Sequence, residues 1–147
     1  MIWLHLLLSA LYISLRDIQF HRIKRRDIYL ASITLIPFAN TRGPIFAAIN
    51  FLIYFALFHL SGKSIGFGDV RLAGLIGLYS GILCSDSNAL IKINLITWLT
   101  AGTVVIFHSL KRVKIAQERI AFAPFMFLGL VVNVIADKIE KVSAILG

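Results

Sequence analysis

The chain has one cysteine, three prolines, and seven acidic residues against fifteen lysines and arginines in 147 positions. A single thiol, Cys84, excludes a disulfide framework and a thiolate metal cluster. Charged residues make up 15% of the chain and hydrophobic ones 59%. With a mean hydropathy of +0.86, this excludes an ordinary soluble domain and points to an integral membrane protein with one domain, residues 1–147. No base-stacking aromatic pattern accompanies the basic runs, so the net charge of +8 does not point to nucleic acid. It points instead to anionic lipid headgroups.

Apolar runs occupy residues 2–15, 28–39, 44–60, 70–84, 89–110 and 121–136. A spanning helix takes about 20 residues, and the shorter runs reach that length only by recruiting polar flanks or thinning the bilayer locally. The expectation is an all-α, polytopic membrane protein with about six transmembrane helices. Residues 1–15 lack a basic leader region and read as a permanent first helix, not as a cleaved signal. Arg16, Arg22, Lys24, Arg25 and Arg26 follow the first run, Lys63 precedes the fourth, and Lys111, Arg112, Lys114 and Arg119 separate the fifth from the sixth. The other loops and the C-terminal tail hold only Arg42, Lys92, Lys138 and Lys141. The positive-inside rule places the basic loops in the cytoplasm, beneath the cell (inner) membrane, with both termini outside. The segment from His108 to Arg112 reads as a basic anchor on that side.

The stretch 66–81, G-F-G-D-V-R-L-A-G-L-I-G-L-Y-S-G, stands out. Asp69 opens an apolar run, and an acid at a membrane edge is a functional candidate by default. A helix N-cap is the structural alternative for it. Gly66 and Gly68 permit a sharp turn and close approach of another chain. Ala73, Gly77 and Gly81 recur every fourth residue and line one helix side for close packing. Arg71 is placed to fold back toward Asp69. A second acid, Asp17, ends the first run on a continuing helical turn. Asp27 is the competing acid for the same role, although it fits an acid at the N-terminal end of a helix dipole, and Asp86 fits the polar turn 85–88. His59 is able in principle to shuttle protons but reads more simply as packed. Phe51, Tyr54, Phe55 and Phe58 read as core or lipid-facing aromatics.

The order Gly-x-Gly-Asp-Val-Arg-Leu followed by glycines resembles the GxGD signature of type IV prepilin peptidases, the membrane aspartyl proteases that trim pilin and flagellin precursors. Two further elements stand in that family's order. Asp17 occupies the place of its first catalytic aspartate, with Ile23 at the family's six-residue spacing. Lys24 and Arg25 replace the family's proline and asparagine. Downstream, I-A-F-A-P-F-M-F-L-G at 120–129 resembles its alanine-proline-phenylalanine element, in which Pro124 disfavours a helical Ala123 and predicts a kinked helix entry.

The resemblance implies that Asp17 and Asp69 are catalytic and that Gly66, Gly68, Arg71 and Pro124 bind substrate, with no cofactor and no metal. It implies a prepilin-like substrate with a short basic leader, cut after a glycine at the cytoplasmic face ahead of an apolar helix. Longer family members add a cysteine-rich insert and a methyltransferase activity; this chain has neither the cysteines nor the length, so zinc and N-methylation are not expected. GxGD is shared by presenilin-like intramembrane proteases. The alternative from another class is a non-enzymatic protein, either a transporter with Asp69 as its ion or proton site or an inactive scaffold relative.

Two carboxylates hydrolyse a peptide when one is ionised and takes a proton from water while the other is protonated and polarises the carbonyl. Like charges held close produce that state by themselves. Asp69 at a helix N-terminus is the expected base, and Asp17 near a helix C-terminus the expected protonated partner.

Overall fold

The computed structural model describes residues 1–61, 65–110 and 121–146. Lys63, Lys111, Arg112, Lys114, Glu118, Arg119 and Ile120 lie outside the described residues, as do the side chains of His108, Ser109 and Leu110. Among the described residues the chain is all-helical, with α1 (Ile2–Phe20), α2 (Arg25–Leu35), a 3-10 turn (Ile36–Phe38), α3 (Arg42–Leu60), α4 (Phe67–Leu83), α5 (Ala89–Leu110) and α6 (Ala123–Leu146).

Two helices, α3 and the Ala89–Phe107 part of α5, are long and apolar enough to cross a membrane. Only 17% and 28% of their apolar windows are buried within the protein, so these helices turn most of their apolar surface outward. By contrast, α2 has 11 residues, about 16 Å at 1.5 Å per residue, well short of a hydrocarbon layer of about 30 Å. The second apolar run therefore forms a helix shorter than the full thickness of that layer. Pro37, which has no amide to continue the ladder, lies in the 3-10 turn that closes it.

Contacts at two levels fix α1 against α2. Near one end of α1 and α2, Arg16 pairs with Asp27 at 3.1 Å. Toward the other end, His5 Nε2 meets Thr34 Oγ1 at 2.6 Å, and His5 Nδ1 meets Tyr79 Oη of α4 at 2.6 Å.

α3 and α4 touch backbone to backbone. A Cβ at Gly81 would lie 2.7 Å from Arg42 O, and one at Gly77 would lie 2.8 Å from Ala47 Cα and still closer to Phe46 O. One turn further along, Asn50 Nδ2 donates to Ala73 O at 2.8 Å, while its Oδ1 accepts from Asn94 of α5 at 2.8 Å. The small-residue stripe thus packs a neighbouring helix as expected, and that neighbour is α3.

The opposite turn is held by polar contacts. Asn40 caps α3 by accepting from the Gly43 amide at 2.8 Å and donating to Gly81 O at 2.9 Å. Asp86 accepts from the Asn88 amide at 2.9 Å and pairs with Lys92 at 2.7 Å. Lys92 first, and then that amide, hold the Asp86 carboxyl below its ordinary range.

Candidate active site

α1 continues past its apolar run to Phe20, which places Asp17 in its last turn. The helix stops at His21, whose left-handed backbone (φ 47°, ψ 33°) lets its amide close on Asp17 O at 2.8 Å. The chain then turns back through Ile23 toward α2. Asp17 is 5% exposed, and its carboxylate is met by the far end of the chain. The backbone amide of Ala123, the first residue of α6, donates to Asp17 Oδ2 at 2.9 Å. The first amides of a helix have no partner within it, so Asp17 satisfies one of them and α6 offers the positive end of its dipole to the carboxylate. Pro124 follows in the first turn of α6, where a missing amide costs no helical hydrogen bond.

Asp69 lies in the first turn of α4, behind an extended Gly66 at the N-cap, and its amide bonds to Gly66 O at 3.0 Å. The Asp17 charge acts directly on the Asp69 carboxyl, so the fold brings the two acids within electrostatic reach. Both glycines of the motif have specific steric reasons. A Cβ at Gly66 would stand 3.1 Å from Asp69 Oδ2, and one at Gly68 would stand 3.2 Å from Ile23 Cβ. The bare face of Gly68 is thus filled by Ile23, the residue six positions after Asp17. This contact locks the start of α4 against the turn that follows α1. Gly66 is exposed and leaves the approach to Asp69 open.

Arg71 does not fold back onto Asp69. Its guanidinium lies over the Phe67 ring at 4.5 Å, one helical turn earlier on the same face. Asp27 is engaged by Arg16, whose guanidinium also stacks on Tyr12 at 5.1 Å. His59 bonds to Phe55 O at 3.0 Å and packs on the Phe55 ring at 4.4 Å, which is the packed role expected of it.

The dipole ranking of the two acids does not carry over, because it took account of α1 and α4 alone. With α6 present, both carboxylates face a helix N-terminus. An N–H only donates, so Asp17 Oδ2 is held as an acceptor.

Sequence reasoning missed two features of this region. One is the Ala123 amide, which carries no side-chain signature. The other is Tyr54, 1% exposed, whose hydroxyl accepts from Trp98 Nε1 at 3.1 Å and whose ring lies 6.3 Å from Phe122. The four-residue spacing of Phe46, Asn50 and Tyr54 was the available signal for it. No protein-family model, curated protein or solved structure matches the chain.

Proposed function

We propose that this chain is a polytopic membrane aspartyl endopeptidase, with Asp17 and Asp69 as its catalytic pair and an action like that of the type IV prepilin peptidases it resembles. The observation that carries the reading is the meeting of three separate sequence elements at one end of the bundle. Asp17 binds the first amide of the alanine-proline-phenylalanine element, its charge reaches Asp69, and Ile23 fills the face of Gly68. An acid that only faces the dipole from the first turn of α4 requires none of these contacts.

In the proposed reaction the ionised member of the pair takes a proton from water as the water oxygen bonds to the scissile carbonyl carbon. The protonated member donates to the carbonyl oxygen. Collapse of the tetrahedral intermediate breaks the C–N bond: the leaving nitrogen takes the proton that the first carboxyl gained from water, and the hydroxyl formed from the carbonyl oxygen returns its proton to the other carboxylate. Each cycle returns the pair to its singly protonated state.

The substrate in this reading is a prepilin-like precursor, cut at the cytoplasmic face just ahead of an apolar helix. The exposed Gly66 and the 37%-exposed Phe67 beside Asp69 suit an extended segment approaching from that side. Six crossings complete the reading, with the shorter helices spanning a locally thinned bilayer.

The test is processing of a prepilin-like substrate by the purified protein in lipid. Asp17→Asn and Asp69→Asn are expected to abolish cleavage while insertion is unchanged, and Asp27→Asn and Asp86→Asn are expected to retain it. Full cleavage by either dyad variant overturns the assignment, and absence of cleavage by the unaltered protein favours a transporter or scaffold.

A further inference from the structure

The contacts between α3 and α4 follow a four-residue register on both helices. Gly81 lies against Arg42 and Gly43, Gly77 against Phe46 and Ala47, and Ala73 against Asn50. Residues four apart share a helix face, so the next step of the same ridge pairs Asp69 with Tyr54. The register therefore puts the phenol beside a proposed catalytic acid on geometric grounds alone. In agreement, the Asp69 charge acts on the Tyr54 hydroxyl. On its other side the Tyr54 ring lies 6.3 Å from Phe122, the neighbour of the amide that holds Asp17.

The contact with Trp98 leaves the proton of the phenol uncommitted. An indole N–H donates and never accepts, so in the 3.1 Å contact between Trp98 Nε1 and Tyr54 Oη the tyrosine oxygen is the acceptor. Its own O–H remains to be donated. Among the described residues no protein group takes that proton, although Tyr54 is 1% exposed. A buried donor left without a protein acceptor is costly. At the level of Asp69, the partner that suits it arrives with the reaction: the carbonyl oxygen of the scissile peptide, which gains negative charge as water adds.

We propose that the Tyr54 hydroxyl, held by Trp98, donates a hydrogen bond to the scissile carbonyl oxygen as negative charge develops on it, a catalytic role additional to the two carboxylates. It rests on the aspartyl-protease reading above. Tyr54 keeps its proton throughout, so the proton balance of the pair is unchanged. A donor fixed in advance toward developing charge lowers the barrier without reorganising during the reaction.

The experiment is steady-state cleavage of a prepilin-like peptide by the full chain in liposomes, comparing Tyr54→Phe, Trp98→Phe, Asp17→Asn and Asp69→Asn. Loss of one oxyanion donor typically costs roughly 100-fold or more in kcat. Tyr54→Phe is therefore expected to lower kcat by about that factor while KM stays within about twofold. Its affinity for a statine-type peptide, whose hydroxyl mimics the tetrahedral intermediate, should fall in parallel. Trp98→Phe leaves the phenol in place but unheld, and a smaller loss in kcat is expected. Inactive aspartate variants beside a fully active Tyr54→Phe overturn this proposal and leave the dyad standing. A Tyr54→Phe enzyme that loses kcat but keeps its affinity for the statine-type peptide also overturns it, because that pattern belongs to a structural defect. Absence of cleavage by the unaltered protein, or cleavage by the aspartate variants, overturns the dyad and this proposal together.

Discussion

Asp17 Oδ2 and the backbone amide of Ala123 are 2.9 Å apart across 106 positions of sequence. This bond joins the end of α1 to the start of α6 and gives a buried acid a backbone donor. It can be removed without touching either aspartate. Proline is tolerated at the first position of a helix, so Ala123→Pro deletes the amide while leaving α6 able to form. A hydrogen bond to a charged group is worth about 1.5–3 kcal/mol, and a loss of roughly 10- to 100-fold in kcat/KM follows at about 1.4 kcal/mol per decade. Ala123→Gly keeps the amide and should retain most of the activity. Equal rates for the proline and glycine variants would show that the amide does not matter.

Gly68 and Ile23 form a second link, between the turn that follows α1 and the start of α4. A methyl group at position 68 would stand 3.2 Å from Ile23 Cβ, tight enough that the loop has to shift. Gly68→Ala is expected to impair processing moderately and Gly68→Val severely, since overpacking costs about 1–3 kcal/mol. Ile23→Ala trims the neighbour and lets the loop yield, so it should recover part of the Gly68→Ala loss in a double-mutant cycle. Strict additivity of the two changes would mean that they do not meet.

Gly77 is a stability position rather than a site position. Any side chain there would run into the Phe46 carbonyl and the Ala47 Cα, both backbone atoms of α3 that move only if the helices part. Gly77→Leu should lower the unfolding free energy in detergent by about 3 kcal/mol or abolish folding. Gly102 has nothing within 4 Å of its missing Cβ, so Gly102→Ala should be neutral or slightly stabilising. Thermal melts of both variants make the comparison, and similar melting points would remove the case for a close α3–α4 contact.

His5 joins three helices, and its tautomer follows from its partners. Thr34 gives its only hydroxyl proton to a backbone carbonyl, Leu30 O at 2.8 Å or Ala31 O at 3.1 Å. Thr34 must therefore accept from His5 Nε2–H, which leaves Nδ1 to accept from Tyr79. Tyr79→Phe strands Nδ1 inside the bundle and should destabilise the protein by about 1–3 kcal/mol. Thr34→Val should act similarly from the other side. The double variant should lose less than the sum of the two, because both remove partners of the same ring. Wild-type stability of Tyr79→Phe would show that the ring is satisfied without the phenol.

Much of the architecture was legible from composition and spacing. A helical, apolar chain followed from the hydrophobic content, and the stripe of Ala73, Gly77 and Gly81 announced a close helix contact because only small groups at four-residue spacing allow one. The segment ends were read less well. α1 runs on to Phe20 and α6 to Leu146, since a helix is closed by hydrogen bonding and caps, whereas an apolar run ends wherever polarity begins. The shortness of α2 follows from Pro37, a local signal that hydropathy alone passes over.

For the proposed site, the sequence by itself singled out Asp17, Asp69 and the glycines, because their chemistry is carried by residue type. Which helix fills the glycine stripe, where Arg71 turns, what meets Asp17 and what stands beside Asp69 were decided by tertiary structure. The glycines accept α3, Arg71 lies on Phe67, the Ala123 amide binds Asp17, and the α3–α4 register brings Tyr54 to the level of Asp69. The physical reason is common to all four. A backbone amide and a helix register have no residue identity, and a long side chain chooses among partners that exist only once the helices have packed.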